Sequence, residues 1–262
     1  MMSFTFGGFN TATMTGLFAG MKSWISLPGL SLDTVDAPGS DGVFFAGANL
    51  GAHPGFGYDV YVQSSSRAGC QTMVDQLTQT LSPMAGLQDF TPGGWEGWVW
   101  RAVLAGQSEW SFGTWLPGSP WQMRCDMAFF CPDPYGYASP DEGVTWTTVG
   151  SRTFTRLLGN MVSYPSFDIK GTLTSSQTVT LTVNGVAVTV TGPLTSSQLL
   201  RLDYQSMDFG IWNSAGTTKL SSVVGQMSAF NRLTLPVGAS TVALATTGTL
   251  TSCQMQANSR RS

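Results

Sequence analysis

The stretch Met127–Tyr137, MAFFCPDPYGY, decides how the chain is divided. Up to Phe130 it is apolar and aromatic, which predicts a buried strand. Pro132 and Pro134 then remove two backbone donors and bias the residues before them toward extended conformations, so a sheet interior cannot continue through them. Turn-forming residues follow as far as Gly143. We interpret this stretch as the boundary between two domains.

The two sides of this boundary differ in composition. Before it lie all but two of the nine tryptophans and one amphipathic segment, and after it comes a Thr/Ser-rich run of short alternating strands. The 262 residues are enough for two domains that each bury a core. We predict an all-β protein with a single α-helix, built from a β-sandwich domain at 1–140 and a second β-sandwich domain at 141–262.

Charged residues make up only 10% of the chain, and the net charge is −3. A chain so weakly charged has no footprint for nucleic-acid binding. Low charge suits either a surface covered by neighbouring subunits or a soluble β-protein solubilised by hydroxyl groups, and composition does not separate the two. No apolar run approaches the roughly 20 residues of a membrane-spanning helix. The N-terminus shows no basic leader, so we expect folding in a cytoplasm.

The predicted helix covers 65–82. Its apolar residues recur at helical spacing on one face, and Gln and Asp lie largely on the other. Ser65 or Ser66 can cap its start, and Pro83 with Gly86 ends it.

The clearest local pattern surrounds Asn184-Gly185, the preferred pair for a two-residue type I′ hairpin turn. A turn there places Val183 opposite Val186 and Leu181 opposite Val188. The apolar pairs then share one face and the threonines share the other.

Other segments give further local predictions. We predict a strand at Trp24–Leu27, a turn at 36–42, loops at 47–55 (with the only histidine, His53) and 217–227, strands on both sides of Pro236 within 230–244, and a frayed tail at 257–262.

The four cysteines contain no CxxC pair. Cys125 and Cys131, if they share one strand, lie roughly 20 Å apart and cannot bond each other. The expected state is therefore buried free thiols, as in a reducing compartment.

Six tryptophans crowd into 95–121 and allow two interpretations. Exposed on a sheet face, they could stack on sugar rings. Buried, they belong to the core or to a subunit interface, where large aromatic side chains supply most of the anchoring. Nothing in the sequence indicates exposure, so we favour core or interface.

Candidate catalytic residues are few, and we assign no catalytic, cofactor-binding or metal-binding residue. One histidine excludes a multi-histidine zinc site, and no nucleophile elbow or nucleotide-binding glycine motif is present. A jelly-roll glycosidase, with two carboxylates in an aromatic-lined groove, is the remaining enzyme hypothesis. Glu96 and Glu109, on neighbouring predicted strands, are the pair to test.

Several segments together resemble the distal tail protein family of long-tailed, non-contractile phages. The turn FCPDPYGY at 130–137 is similar to the end of that family's first domain, and DAPGSDG at 36–42 resembles a loop within it. GNMVSYPSFDIKG at 159–171 resembles the start of its second domain, and Arg201-Leu202-Asp203 approximates a later motif. NRLTLPVGASTV at 231–242 resembles its C-terminal pattern, with an inserted Val237 and with Ser240 where Asn is common.

The resemblance implies a structural virion protein of the phage tail tip rather than an enzyme. The first domain would form a closed ring, hexameric in that family, with its helix packed on the sandwich. The second would be a galectin-like sandwich projecting outward. The ring would join the tail tube to tail-tip hub or fibre proteins, leave a channel for DNA, and be assembled in the host cytoplasm without a cofactor.

A carbohydrate-binding or receptor-binding β-sandwich module is the alternative to a ring protein. Sugar sites of the galectin type bring polar residues and a tryptophan together in one groove. The second domain contains only Trp146 and Trp212 and no histidine, so composition does not favour such a site there.

Overall fold

The computed structural model describes residues 3–22, 29–36, 43–107, 109–113 and 119–262, with the backbone alone at 30–36 and 43–50. The chain forms two compact units, Met1–Gly136 with Ser262 and Tyr137–Arg261. Each unit buries its own hydrophobic cluster. The predicted strand at Trp24–Leu27 and all but the first residue of the predicted turn at 36–42 lie outside the described residues.

The described part of the first unit contains ten strands and one α-helix, α1, at Arg67–Thr80. The strands are β1 Thr5–Phe6, β2 Phe9–Asn10, β3 Leu17–Met21, β4 Leu30–Asp36, β5 Val43–Leu50, β6 His53–Ser64, β7 Gln88–Thr91, β8 Trp98–Gln107, β9 Ser111–Phe112 and β10 Trp121–Cys131. Short 3-10 turns lie at Thr11–Thr13 and Pro83–Ala85.

Seven of these strands form a sheet in the order β2-β1-β7-β8-β10-β6-β3, with β9 beside β10. Strand β8 is shared by two halves of this sheet, because Trp100 pairs with Phe90 of β7 and Leu104 pairs with Phe129 of β10. Phe90 and Phe129 lie on the two different strands that pair with β8, yet their rings stack at 4.7 Å. The sheet therefore folds back on itself at β8 and encloses an aromatic core, to which Phe4 also belongs.

Strand β10 continues through the apolar stretch that marks the boundary. Phe129 is buried, whereas Phe130 is 43% exposed. The prediction of burial up to Phe130 was wrong for this residue, because neighbouring side chains of a strand point to opposite faces. Cys131 ends the strand directly before Pro132.

The helix is confirmed and is slightly shorter than predicted. The Ser66 hydroxyl caps it by accepting the N–H of Gly69 at 3.0 Å. Cys70 and Leu77 are buried on its inner face. Among the described residues α1 is the single α-helix, and the predicted all-β fold with one helix is confirmed.

The loop predicted at 47–55 was wrong. Strand β5 runs to Leu50, where it pairs with Leu30 of β4, and β6 already starts at His53. The prediction failed because strands were recognised by alternating apolar residues, which this glycine-rich segment lacks. Backbone hydrogen bonds pair the strands without such alternation.

The second unit contains twelve strands, the first of which begins at the boundary residue Gly136, and a 3-10 turn at Val224–Gln226. The strands are β11 Gly136–Ala138, β12 Gly143–Trp146, β13 Gly150–Arg156, β14 Ser166–Thr172, β15 Thr178–Val183, β16 Val186–Thr191, β17 Gln198–Asp203, β18 Asp208–Asn213, β19 Lys219–Ser222, β20 Gly238–Thr246, β21 Thr249–Gln256 and β22 Arg260–Arg261.

Two of its sheets pack face to face as a sandwich. One has six strands in the order β12-β21-β14-β17-β18-β19, and the other has four in the order β13-β20-β15-β16. Phe167 and Leu202 of the six-stranded sheet share one buried cluster with Leu181 and Val242 of the four-stranded sheet. Successive side chains of a strand point to opposite faces, so every second residue of each strand lies on the outer face of its sheet.

The hairpin at Asn184-Gly185 has the predicted register, with Val183 opposite Val186 and Leu181 opposite Val188. Both turn residues have positive φ, 49° and 84°, as a type I′ turn requires. Leu181 and Val188 are buried, whereas Val186 at the tip is 40% exposed.

Two predictions near the C-terminus were wrong. The predicted loop at 217–227 contains β19, an exposed edge strand whose polar residues show no apolar alternation. The predicted strand before Pro236 is not regular, although Leu233 and Leu235 are buried. Their alternation comes from insertion into the core, with a single bridge from Leu235 to Ser163.

The C-terminal tail is held in place rather than frayed. The Asp141 carboxylate accepts the backbone N–H groups of Asn258 and Ser259 at 2.6 and 3.0 Å. Arg260 is buried and its guanidinium lies over the ring of Tyr164. The prediction failed because these partners lie about a hundred residues earlier in the sequence.

Candidate functional site

A polar groove lies on the outer face of the six-stranded sheet of the second unit. Antiparallel pairing places Asp168 of β14 between Arg201 of β17 and Gln254 of β21. Phe167 and Ile169, which flank Asp168, point into the core. The groove has a volume of about 330 Å³ and is lined by Ser166, Asp168, Arg201, Asp203, Gln254, Gln256 and Asn258.

The centre of the groove is a bidentate ion pair. Arg201 donates from Nε and Nη2 to the two carboxylate oxygens of Asp168, both at 2.7 Å. Its Nη1 donates to the carbonyl of Gly216 at 3.2 Å, and the guanidinium lies over the ring of Trp212 at 5.0 Å. The bonds to Asp168 raise the pKa of Arg201. The guanidinium is therefore held from three sides in one orientation.

The chemistry available in this groove is hydrogen bonding. Each side chain of the ion pair is about 30% exposed and therefore reachable from solvent. The Asp203 carboxylate is already engaged by the backbone N–H groups of Gln205 and Ser206 and by the Ser206 hydroxyl. The groove contains no thiol, histidine or lysine among its lining residues.

The tryptophans of the first unit lie in or against its core. Trp100 is buried, and Trp95, Trp98, Trp110 and Trp121 are half-buried and pack on the same cluster. For these five the packing favours the core or interface interpretation over sugar stacking. Trp115 lies outside the described residues.

Glu96 and Glu109 are both exposed, and they lie in a turn before β8 and in the segment after it. Glu96 accepts the N–H of Gly94 at 3.2 Å, a contact within its own turn. An exposed turn lacks the enclosed groove in which paired carboxylates hydrolyse glycosides. The geometry therefore gives the glycosidase hypothesis no support.

His53 and the four thiols are structural. His53 is buried, stacks on Phe56 at 4.7 Å and accepts the N–H of Gly55 through Nδ1. The four cysteines are buried and free, as predicted.

Burial raises the pKa of the thiols of Cys125, Cys131 and Cys253 to about 12 each. In the described part of the chain no three His, Cys, Asp or Glu side chains converge as metal ligands. None of its helices has the length and apolar character needed to cross a membrane.

The fold can be compared with solved structures over its whole length. The SPP1 Dit protein, described as a paradigm of the hub adsorption apparatus in phages infecting Gram-positive bacteria, superposes with a TM-score of 0.68. The match covers 99% of each chain at 13% identity. The chain has the phage distal tail protein fold. A chain of the activated phage P2 baseplate with Ca matches at a TM-score of 0.50 and 9% identity, over 95% and 92% of the two chains.

Only short sequence motifs predicted this distal tail protein fold. No protein-family profile and no curated protein matches the chain. The motif at Arg201-Leu202-Asp203 falls on β17, where Arg201 and Asp203 line the groove. The groove itself was missed, because its strands are separated by up to about ninety residues in sequence.

Proposed function

We propose that this protein is a structural component of a phage tail tip that assembles as a closed ring. The observation that carries the proposal is the match to the SPP1 Dit protein, which covers 99% of both chains. A fold alone does not assign function. Here, however, the match includes both compact units rather than one widespread sandwich, and the SPP1 protein belongs to a hub adsorption apparatus.

The composition of the chain supports a ring. Only 10% of its residues are charged, and interfaces of oligomers are depleted of charge and enriched in aromatic residues and methionine. In the first unit the turn after α1 exposes Met84 at 92% and Leu87 at 43%. An apolar turn with this exposure is a suitable part of a heterologous interface repeated around a ring.

In this proposal the first unit forms the ring, as a hexamer. The second unit projects outward. The ring joins the tail tube to tail-tip hub or fibre proteins and leaves a channel through which DNA passes. The chain is then a virion protein without enzymatic activity, assembled in the host cytoplasm. The same proposal assigns the ring to a domain at 1–140 and the outward projection to a domain at 141–262.

The test is the assembly state of the purified full-length chain. Light scattering should give six times the mass of one chain, and negative-stain images should show rings with an open centre. A strictly monomeric protein at high concentration contradicts the ring. Rings with a different number of subunits contradict only the hexamer.

A further inference from the structure

The polar groove of the second unit has hydrogen-bonding capacity that the protein itself does not use. The side-chain amides of Gln254 and Gln256 are exposed and make no hydrogen bond within the described part of the chain. Arg201 uses three of its five N–H groups. Each oxygen of Asp168 accepts one bond from Arg201 and can accept another. The groove therefore offers both unused donors and unused acceptors.

Charge decides which ligand fits this arrangement. The lining side chains contain two carboxylates, Asp168 and Asp203, and one guanidinium, Arg201. An anion such as phosphate would meet an excess of negative charge. A cation would meet only carboxylates that already have partners. An apolar ligand would remove water from polar groups without replacing their hydrogen bonds, which is unfavourable.

A neutral polyhydroxyl compound meets none of these objections. Each hydroxyl group both donates and accepts, so neighbouring hydroxyls can bond the carboxylate, the guanidinium and the amides together. The groove volume of about 330 Å³ lies at the lower end of small-ligand sites, roughly 300–1,000 Å³. It therefore has room for one or two sugar rings.

The groove is also preorganised for such a ligand. Trp212, Gly216 and Asp168 fix the Arg201 guanidinium before any ligand arrives. Groups held in place lose less conformational entropy on binding. We propose that this groove binds neutral saccharides, with Arg201, Asp168, Gln254 and Gln256 as the hydrogen-bonding residues. This activity goes beyond the ring and does not depend on it.

The test is saturation-transfer NMR on the full-length protein with lactose, maltotriose and chitotriose as probes. The method observes the small ligand and therefore works whether the protein is monomeric or a ring. At least one probe should receive saturation from the protein. Adding inorganic phosphate should leave the signal unchanged.

Three variants locate the binding. Gln254→Ala with Gln256→Ala removes exposed amides that have no hydrogen-bond partner among the described residues, so the fold is retained. Arg201→Met removes the central donor, and losing a hydrogen bond to a charged group weakens binding about tenfold or more. Gln226→Ala is the matched control, since it removes an exposed glutamine outside the groove.

The expected result is a weakened signal in both groove variants and an unchanged signal in the control. Failure of all three probes to receive saturation overturns the proposal. Binding that survives the glutamine double variant and Arg201→Met overturns the location, and displacement by inorganic phosphate overturns the assignment to neutral ligands.

Discussion

Arg201 and Asp168 face each other across strands β17 and β14 and share two hydrogen bonds of 2.7 Å. Both side chains are about 30% exposed, so solvent partly screens the pair. We expect a double-mutant cycle with Arg201→Met and Asp168→Asn to give a coupling energy of about 1 kcal/mol. Urea unfolding measures it, and the coupling should fall at high salt. A coupling near zero at low salt would show that the pair contributes orientation without stability.

The hairpin turn at Asn184-Gly185 gives a second prediction. Gly185 has a φ of 84°, and its missing Cβ would meet no atom within 4 Å. Gly185→Ala should therefore destabilise the protein by about 1 kcal/mol through backbone strain alone. Gly225→Ala is the matched control, because Gly225 is equally uncrowded but lacks positive φ. Equal unfolding midpoints for the two variants would contradict the type I′ turn.

The C-terminal tail should open when its acceptor is removed. Asp141→Ala leaves the N–H groups of Asn258 and Ser259 without the carboxylate that accepts them. Hydrogen exchange of the peptide 257–262 should become faster, whereas Asp75→Ala, on the exposed face of α1, should not change it. Rapid exchange of this peptide already in the unmodified protein would instead support the prediction of a frayed tail.

The buried thiols predict a loss of stability at alkaline pH. Cys125, Cys131 and Cys253 have pKa values near 12 in the folded chain, against an ordinary value of 9.0. Below pH 9 both states hold these protons and the stabilisation is fully present. Between about pH 9 and 12 the unfolded chain releases protons that the folded chain keeps, so the free energy of unfolding falls.

Alkylation with iodoacetamide provides the control for the thiols. At pH 8 the native protein should react slowly and the urea-unfolded protein should react at all four cysteines. Cys→Ala at position 125, 131 or 253 should flatten the alkaline slope. Rapid labelling of Cys125 in the native protein would contradict its burial.

If the first unit forms the ring, charge added to its surface should disrupt assembly, whereas the same charge added to the second unit should not. Met84→Glu with Leu87→Glu places two carboxylates in an apolar turn of the first unit and should shift the assembly toward monomers. Leu220→Glu with Val224→Glu makes the same change at exposed neighbours in the second unit and should leave the mass unchanged. Light scattering compares the two. If the second pair alone disrupts assembly, the second unit forms the ring.

Local chemistry alone determined several elements of this protein. The spacing of apolar residues and the Ser66 cap define α1 within a few residues, and Asn184-Gly185 defines both turn type and register. Each depends on residues close in sequence, so no distant partner is needed. Pro132 likewise follows directly on the end of β10.

Tertiary structure decided the features whose partners are distant in sequence. Arg201 meets Asp168 only after β14 and β17 pair, and Gln254 joins them through β21. The tail is ordered because Asp141 accepts its N–H groups across more than a hundred residues. Strand β19 forms on a sheet edge with polar residues because β18 supplies its hydrogen bonds. Propensity and periodicity describe a residue's neighbours along the chain, whereas pairing register and burial depend on neighbours in space.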